Sequence, residues 1–236
     1  MSHAGFAGLL AGLLLAGAAA AETGTFDLRL GPVRAGTLQY SAEARGGQYA
    51  AAGAVRSAGL AGLFLDSSVD AKSRGRVDGN RYRPQSFSST TTEGGETERL
   101  AFRYAGGVPQ VSRDPERKKP PKHAAPPAQQ SGTVDPMTAA FAILRDRPAA
   151  EACDLRIDLY DGRRRADIRL VGGTPTADGG LDCRGEYRRV AGFSQKELAE
   201  KPVWPFAVTY APAGDALRVT ELRVPTSFGN FRMVRR

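Results

Sequence analysis

The sequence predicts a mainly β protein: one curved antiparallel sheet, an open or half barrel, with one main helix. Three observations carry this. Apolar and polar residues alternate with period two along most of the chain. Glycine-rich turn signals, Gly46-Gly47, Gly94-Gly95 and Asp161-Gly162, separate the alternating runs. One stretch, 134–148, carries the periodicity and capping residues of a helix.

The first residues stand apart. Residues 4–21 have no charged side chain, Leu9, Leu10 and Leu13–Leu15 form an apolar centre, and Ala19-Ala20-Ala21 precedes Glu22. This is the pattern of a secretory signal peptide, residues 1–21, cut after about Ala21. A transmembrane anchor is the competing reading, because the run lies near the lower limit of roughly 18–20 residues for spanning a bilayer. The Ala and Gly content and the cleavage pattern favour removal, which places a soluble chain, 22–236, in the periplasm.

From there the elements follow in order. Residues 25–31 place Phe26, Leu28 and Leu30 on one face, and 35–44 place Leu38, Tyr40 and Ala42 there. The run 48–55 returns across Gly46-Gly47 as a hairpin. Residues 57–75, with Phe64, open irregularly and continue as a strand. A second hairpin covers 83–107, returning through Leu100, Phe102 and Tyr104. Composition then shifts. Residues 113–134 hold five prolines and almost no large apolar side chain, so a Pro-rich disordered insert is expected at 114–133. The helix follows, with Asp135 as N-cap, Pro136 at its first position, a stripe of Met137, Phe141 and Leu144, and Pro148 as its stop.

Strands resume at 153–160, with Leu155, Ile157 and Leu159 on one face. The Asp161-Gly162 turn leads into 164–171, where Ala166, Ile168 and Leu170 oppose Arg165, Asp167 and Arg169. Neighbouring arginines of the Arg163–Arg165 triplet face opposite ways, so a charged hairpin, with Asp158 and Asp161 as cross-strand partners, is favoured over an anion site. The runs 180–193, 206–212, 216–226 and 229–236 complete a single β-rich domain.

Two cysteines, Cys153 and Cys183, follow an export signal, which predicts a disulfide. Closing a loop of about 30 residues stabilises by roughly 3–4 kcal/mol in the chain-entropy model.

The chemistry of catalysis is thinly represented. His123 is the single histidine after the leader and lies in the Pro-rich segment. There is no GxSxG, P-loop, HExxH or GxGxxG motif and no CxxC pair. The carboxylate pairs Asp66/Asp70, Asp158/Asp161 and Glu93/Glu96 sit on turns or strand edges near arginine, where a solvated role is expected. The lone Trp204, between Pro202 and Pro205, reads as a plug at the rim or core of the sheet. The net charge of +8 suits anionic partners such as phospholipid headgroups, lipopolysaccharide or acidic glycans, and equally serves solubility. Nucleic acid is set aside, since an exported chain rarely meets it and no aromatic-plus-basic strand motif is present.

Several landmarks occur together: "QYAAAGAVRSAGLAGLF" (48–64), "RYRPQSFSST" (81–90), the Asp135-Pro136 helix start, "LYDGRRRADIRL" (159–170) and "CRGEYRRVAGF" (183–193). With them the chain resembles, over about 35–235, the exported bacterial family catalogued as domain of unknown function 3108. The resemblance implies an open, strongly curved antiparallel sheet, similar in outline to periplasmic lipoprotein carriers, and brings no catalytic residues or cofactor.

The expectation is therefore a non-enzymatic periplasmic protein. One helix cannot cover so broad a sheet, so the sheet must curl, enclose a cavity or find a partner. Leu28, Leu38, Tyr40, Phe64, Phe102, Ile157, Ile168 and Phe206 either line a site for a lipid, lipoprotein or other amphipathic envelope component, or fill a closed core. The alternative function is an envelope interaction protein that uses its basic surface and Pro-rich segment without a small ligand.

Overall fold

A computed structural model of the chain describes residues 21–58, 67–227 and 229–236. Residues 1–20 of the leader, and Phe64, lie outside them. Strands β1 (Glu22–Leu30), β2 (Val33–Arg45), β3 (Gln48–Ser57), β4 (Ser67–Asp78), β5 (Arg81–Glu93), β6 (Glu96–Ala105) and β7 (Val108–Asp114) precede helices α1 (Pro136–Leu144) and α2 (Ala149–Ala152). Then come β8 (Leu155–Tyr160), β9 (Arg165–Pro175), β10 (Leu181–Ala191), helix α3 (Gln195–Glu200), β11 (Val203–Ala213), β12 (Ala216–Thr226) and β13 (Gly229–Arg235).

All thirteen strands join one antiparallel sheet in the order β7-β6-β5-β4-β3-β2-β1-β13-β12-β11-β10-β9-β8. Consecutive strands make every neighbouring pair except β1 with β13, which join across the sequence through Phe26 opposite Arg235 and Leu28 opposite Met233. The sheet is not closed by strand pairing: β7 and β8 are its two edges.

Alternation sets the inside. Phe26, Tyr40, Tyr49, Phe87, Phe102, Leu155, Ile157, Leu170, Val208 and Val219 are buried, while their chain neighbours turn outward. Helix α1 lies against this inner surface. It is buried on nearly every side, through Met137, Thr138, Ala139, Phe141, Ala142, Ile143 and Leu144, so it is a plug rather than the one-sided lid that its apolar stripe suggests. Phe141 stacks on Tyr49 with ring centroids 4.8 Å apart, and Tyr82 meets it edge-on at 5.9 Å. Gly53 admits the Met137 sulfur, which would lie 3.2 Å from an added Cβ. The cap is as the sequence predicts: the Asp135 carboxylate accepts from the Thr138 amide at 2.8 Å. The helix ends at Leu144, one turn short of Pro148, because Arg147 turns aside to exchange backbone hydrogen bonds with Leu217.

The disorder expected for 114–133 is corrected by the structure over 124–134. Ala125, Gln130 and Thr133 are buried. The Ala125 amide donates to Arg163 O, Gly132 to Gly107 O and Val134 to Asp158 O; Tyr160 returns a bond to Val134 O. The Tyr160 hydroxyl donates to Ala125 O at 2.9 Å. This segment is the seam that spans the gap between the β6–β7 hairpin and β8. Composition misleads because small residues with satisfied backbone groups suffice to fill a narrow slot between two sheet edges.

The cysteines form a disulfide, Cys153–Cys183, with Cα atoms 5.3 Å apart. It ties the end of α2 to the inner face of β10. Strand β7 and helices α2 and α3 are additions to the sequence reading.

Candidate functional site

The "DGRRR" stretch is an ordinary hairpin loop. The Asp161 carboxylate accepts the amides of Arg163 and Arg164 at 2.8 and 2.6 Å, so it caps the turn rather than pairing across the strands. Gly162 holds φ +88°, where an added Cβ would lie 2.8 Å from the Arg113 guanidinium and 3.3 Å from the Phe102 ring. Arg165 pairs with Asp158 at 3.2 Å on the outside, and Arg164 reaches Glu197 at 3.1 Å on the other side.

That second pairing marks the rim of a largely apolar cleft. Its volume is about 390 Å³. Ile168 of β9, Tyr187 of β10 and Trp204 of β11 are consecutive cross-strand neighbours and form its floor. Phe206 lies flat over Gly185, its direct partner, in space that a Cβ would occupy. Leu222 and Val224 of β12 and Ile143 of α1 close the remaining sides.

Cations ring the opening. The Arg164 and Arg189 guanidinium groups stand 5.0 and 5.2 Å from the Phe193 ring, and Lys201 Nζ stands 3.8 Å from the Trp204 ring. Arg164 Nε is buried without a hydrogen-bond partner among the described residues. Helix α3 forms this lip. Ser194 and Glu197 make a capping box, in which Glu197 accepts from the Ser194 amide at 2.8 Å and donates its own amide to Ser194 Oγ at 3.2 Å. These bonds and the nearby arginines hold the Glu197 carboxyl below its ordinary range.

The residues named from the sequence separate into two groups. Ile168 and Phe206 line the cleft. Tyr40, Phe102 and Ile157 are buried in the continuous core, and Leu28 and Leu38 are partly buried against it. Sequence reasoning missed Tyr187, Phe193, Arg164 and Arg189 as a group; the readable signal was the Ser194-x-x-Glu197 box that builds the lip. Trp204 is at the rim, half-buried.

A second polar feature lies in the interior. Asp135 is fully buried, and its carboxylate also accepts from Thr138 Oγ1 at 2.6 Å and Ser73 Oγ at 3.0 Å. The Tyr49 hydroxyl shares a hydrogen with Thr138 Oγ1 at 2.7 Å. Burial pushes the Asp135 carboxyl up to about 6, against the pull of these hydrogen bonds. The network is a sealed helix start rather than an accessible acid. Of the remaining carboxylates proposed from sequence, Asp66 lies outside the described residues, Asp70 is bound to Arg56 at 2.7 Å, and Glu93 and Glu96 are cross-strand partners at an exposed turn. Among the described residues no group of three or more His, Cys, Asp or Glu could hold a metal, and no helix is long and apolar enough to cross a membrane.

A family model described as "Protein of unknown function (DUF3108)" matches residues 25–176. The chain belongs to this family. The match ends just after β9, short of the 35–235 span over which the landmarks were read, so it takes in α1 and the seam but most cleft residues follow it. No curated protein matches. Among solved structures, the "Beta-barrel-like Protein of Domain of Unknown Function DUF1849 from Brucella abortus" is similar, with 12% identity, 91% of this chain and 95% of that chain covered, and a TM-score of 0.49.

Proposed function

We propose that this chain is a non-enzymatic periplasmic protein, exported by a cleaved leader, that holds the apolar part of an acidic amphiphile in the Trp204–Phe206 cleft. One observation carries the reading: an apolar cleft of about 390 Å³ has Arg164, Arg189 and Lys201 at its mouth. The volume lies in the range of about 300–1,000 Å³ typical of small-molecule sites. A carboxylate or phosphate head would meet charge-assisted donors at the rim while its chain lies against Ile168, Tyr187 and Leu222. The Cys153–Cys183 disulfide supports an oxidising compartment.

The experiment compares a long-chain fatty acid with the fatty alcohol of equal length, by titration of the purified protein. The acid should bind more tightly, and Arg189→Gln should weaken the acid by roughly ten-fold, one charge-assisted contact, while leaving the alcohol unchanged. Failure of both probes to bind, together with native mass spectra free of co-purified lipid, would refute the reading.

A further inference from the structure

The outer face of β2–β6 carries an array of exposed cations, unrelated to the cleft. Lys72, Arg74 and Arg76 project outward from β4, alternating with the buried Ser73 and Gly75. Cross-strand register extends them into two rows. Arg45 faces Gln48, Gln48 faces Arg76, and Arg76 faces Arg83. Arg74 faces Ser86, which faces Arg103. All six cations are exposed, and none has an ion-pair or hydrogen-bond partner among the described residues. Glu43 is the one carboxylate within the rows; Asp70 is taken by Arg56, and Asp78 lies opposite Arg81 at the edge. Direct opposition of Arg76 and Arg83 is unfavourable unless an anion lies over them.

We infer that this face docks on a layer of anionic phospholipid headgroups. The array spans four strand spacings, about 19 Å, by four residues along β4, about 13 Å. It is therefore two-dimensional. The floor of Ala50, Ala52, Ser86 and Ser88 is a hollow of about 520 Å³ edged by Lys72, Arg74, Arg103 and Glu43, and Arg45, Arg76 and Arg83 lie outside it, so the cations extend beyond what one compact anion meets. A linear polyanion needs a stripe. A headgroup layer repeats its charge in two directions, as this surface does, and the attraction acts within a Debye length of about 8 Å at physiological salt.

The test is co-sedimentation of the purified chain with vesicles of phosphatidylethanolamine and phosphatidylglycerol, against vesicles of phosphatidylcholine alone. Binding to the anionic vesicles alone, weakened by added salt, is expected. Each removed cation should lower partitioning by about five-fold, so the variant with Lys72→Gln, Arg74→Gln and Arg76→Gln should lose on the order of a hundred-fold. Its unfolding midpoint should not fall, because the three side chains are exposed and make no ion pair or hydrogen bond among the described residues. A second variant with Arg218→Gln, Arg232→Gln and Arg236→Gln removes equal charge from ion-paired sites and should retain most of the binding. Equal loss in both variants would reduce the effect to net charge and overturn the docking face. Equal binding to neutral vesicles, no binding at all, or binding of a soluble acidic polysaccharide without binding of anionic vesicles would overturn it as well.

Discussion

The interior is filled under one part of the sheet and open under another. Against β3–β5, Phe141 of α1 stacks on Tyr49 and leaves no room. Against β9–β12, the same helix contributes only Ile143, and an apolar cleft remains. The outside differs as well. On β12, β13 and their neighbours Arg218 meets Asp146, Arg223 meets Asp182, Arg232 meets Glu221 and Arg236 meets Asp27. Around β4, Arg56 is bound to Asp70, but Arg45, Lys72, Arg74, Arg76, Arg83 and Arg103 have no ion-pair partner among the described residues. The two ways a sheet presents itself, by shape within and by charge without, are thus assigned to different ends of the sheet. The region matched by the family model holds the filled interior and the cationic exterior.

This contrast is sharpest in core substitutions. Phe141→Ala should cost about 3–5 kcal/mol, as for a buried ring whose neighbours cannot collapse. Phe206→Ala, at a half-buried position beside an existing space, should cost about half as much, measured by urea unfolding. Equal costs would mean that the cleft is part of the core and not a site. Breaking the disulfide with Cys153→Ser should lower stability by roughly 3–4 kcal/mol and leave Cys183 open to alkylation.

The filled end also carries a pH signature. The Asp135 carboxyl is pushed up to about 6 in the folded state by burial, above its ordinary value near 3.9 in an unfolded chain. The folded state therefore holds this proton more tightly. The associated stability is complete in acid below about pH 4 and is lost as pH rises through about 6, an effect of about 3 kcal/mol. Asp135→Asn should remove that slope while keeping an acceptor for the Thr138 amide. The measurement is the difference in unfolding midpoint between the two proteins across this window; a constant difference would place the ordinary carboxyl value in the core.

The smallest effect concerns the outer faces. Arg218→Gln breaks a bidentate contact with Asp146 and should cost at most about 1 kcal/mol. Arg74→Gln should leave stability unchanged within about half a kcal/mol, or raise it slightly by relieving repulsion. A larger loss for Arg74→Gln would reveal a partner for that side chain.

Local pattern explains what was legible. β12 runs over the expected 216–226: apolar and polar residues alternate on either side of a one-residue slip at Thr220, and the turn at Gly214 precedes it. The start of α1 was equally readable from Asp135-Pro136. Strand β7 was not, since Val108–Asp114 holds Pro109 and merges into the charged run beyond. The seam was hidden for a different reason: its bonds reach Gly107, Asp158 and Arg163, and no local composition states which distant edges a segment will join. The cleft failed for the same reason, being assembled from five separate elements.

The junction of β1 with β13 has a consequence for how the molecule comes into being. Phe26 finds its neighbour Arg235 more than two hundred positions later, so the first strand to leave the ribosome waits for the last. Every other neighbouring pair joins consecutive strands, so this single distant pairing, which closes the longest loop in the sheet, carries the largest entropic cost of assembly and comes late.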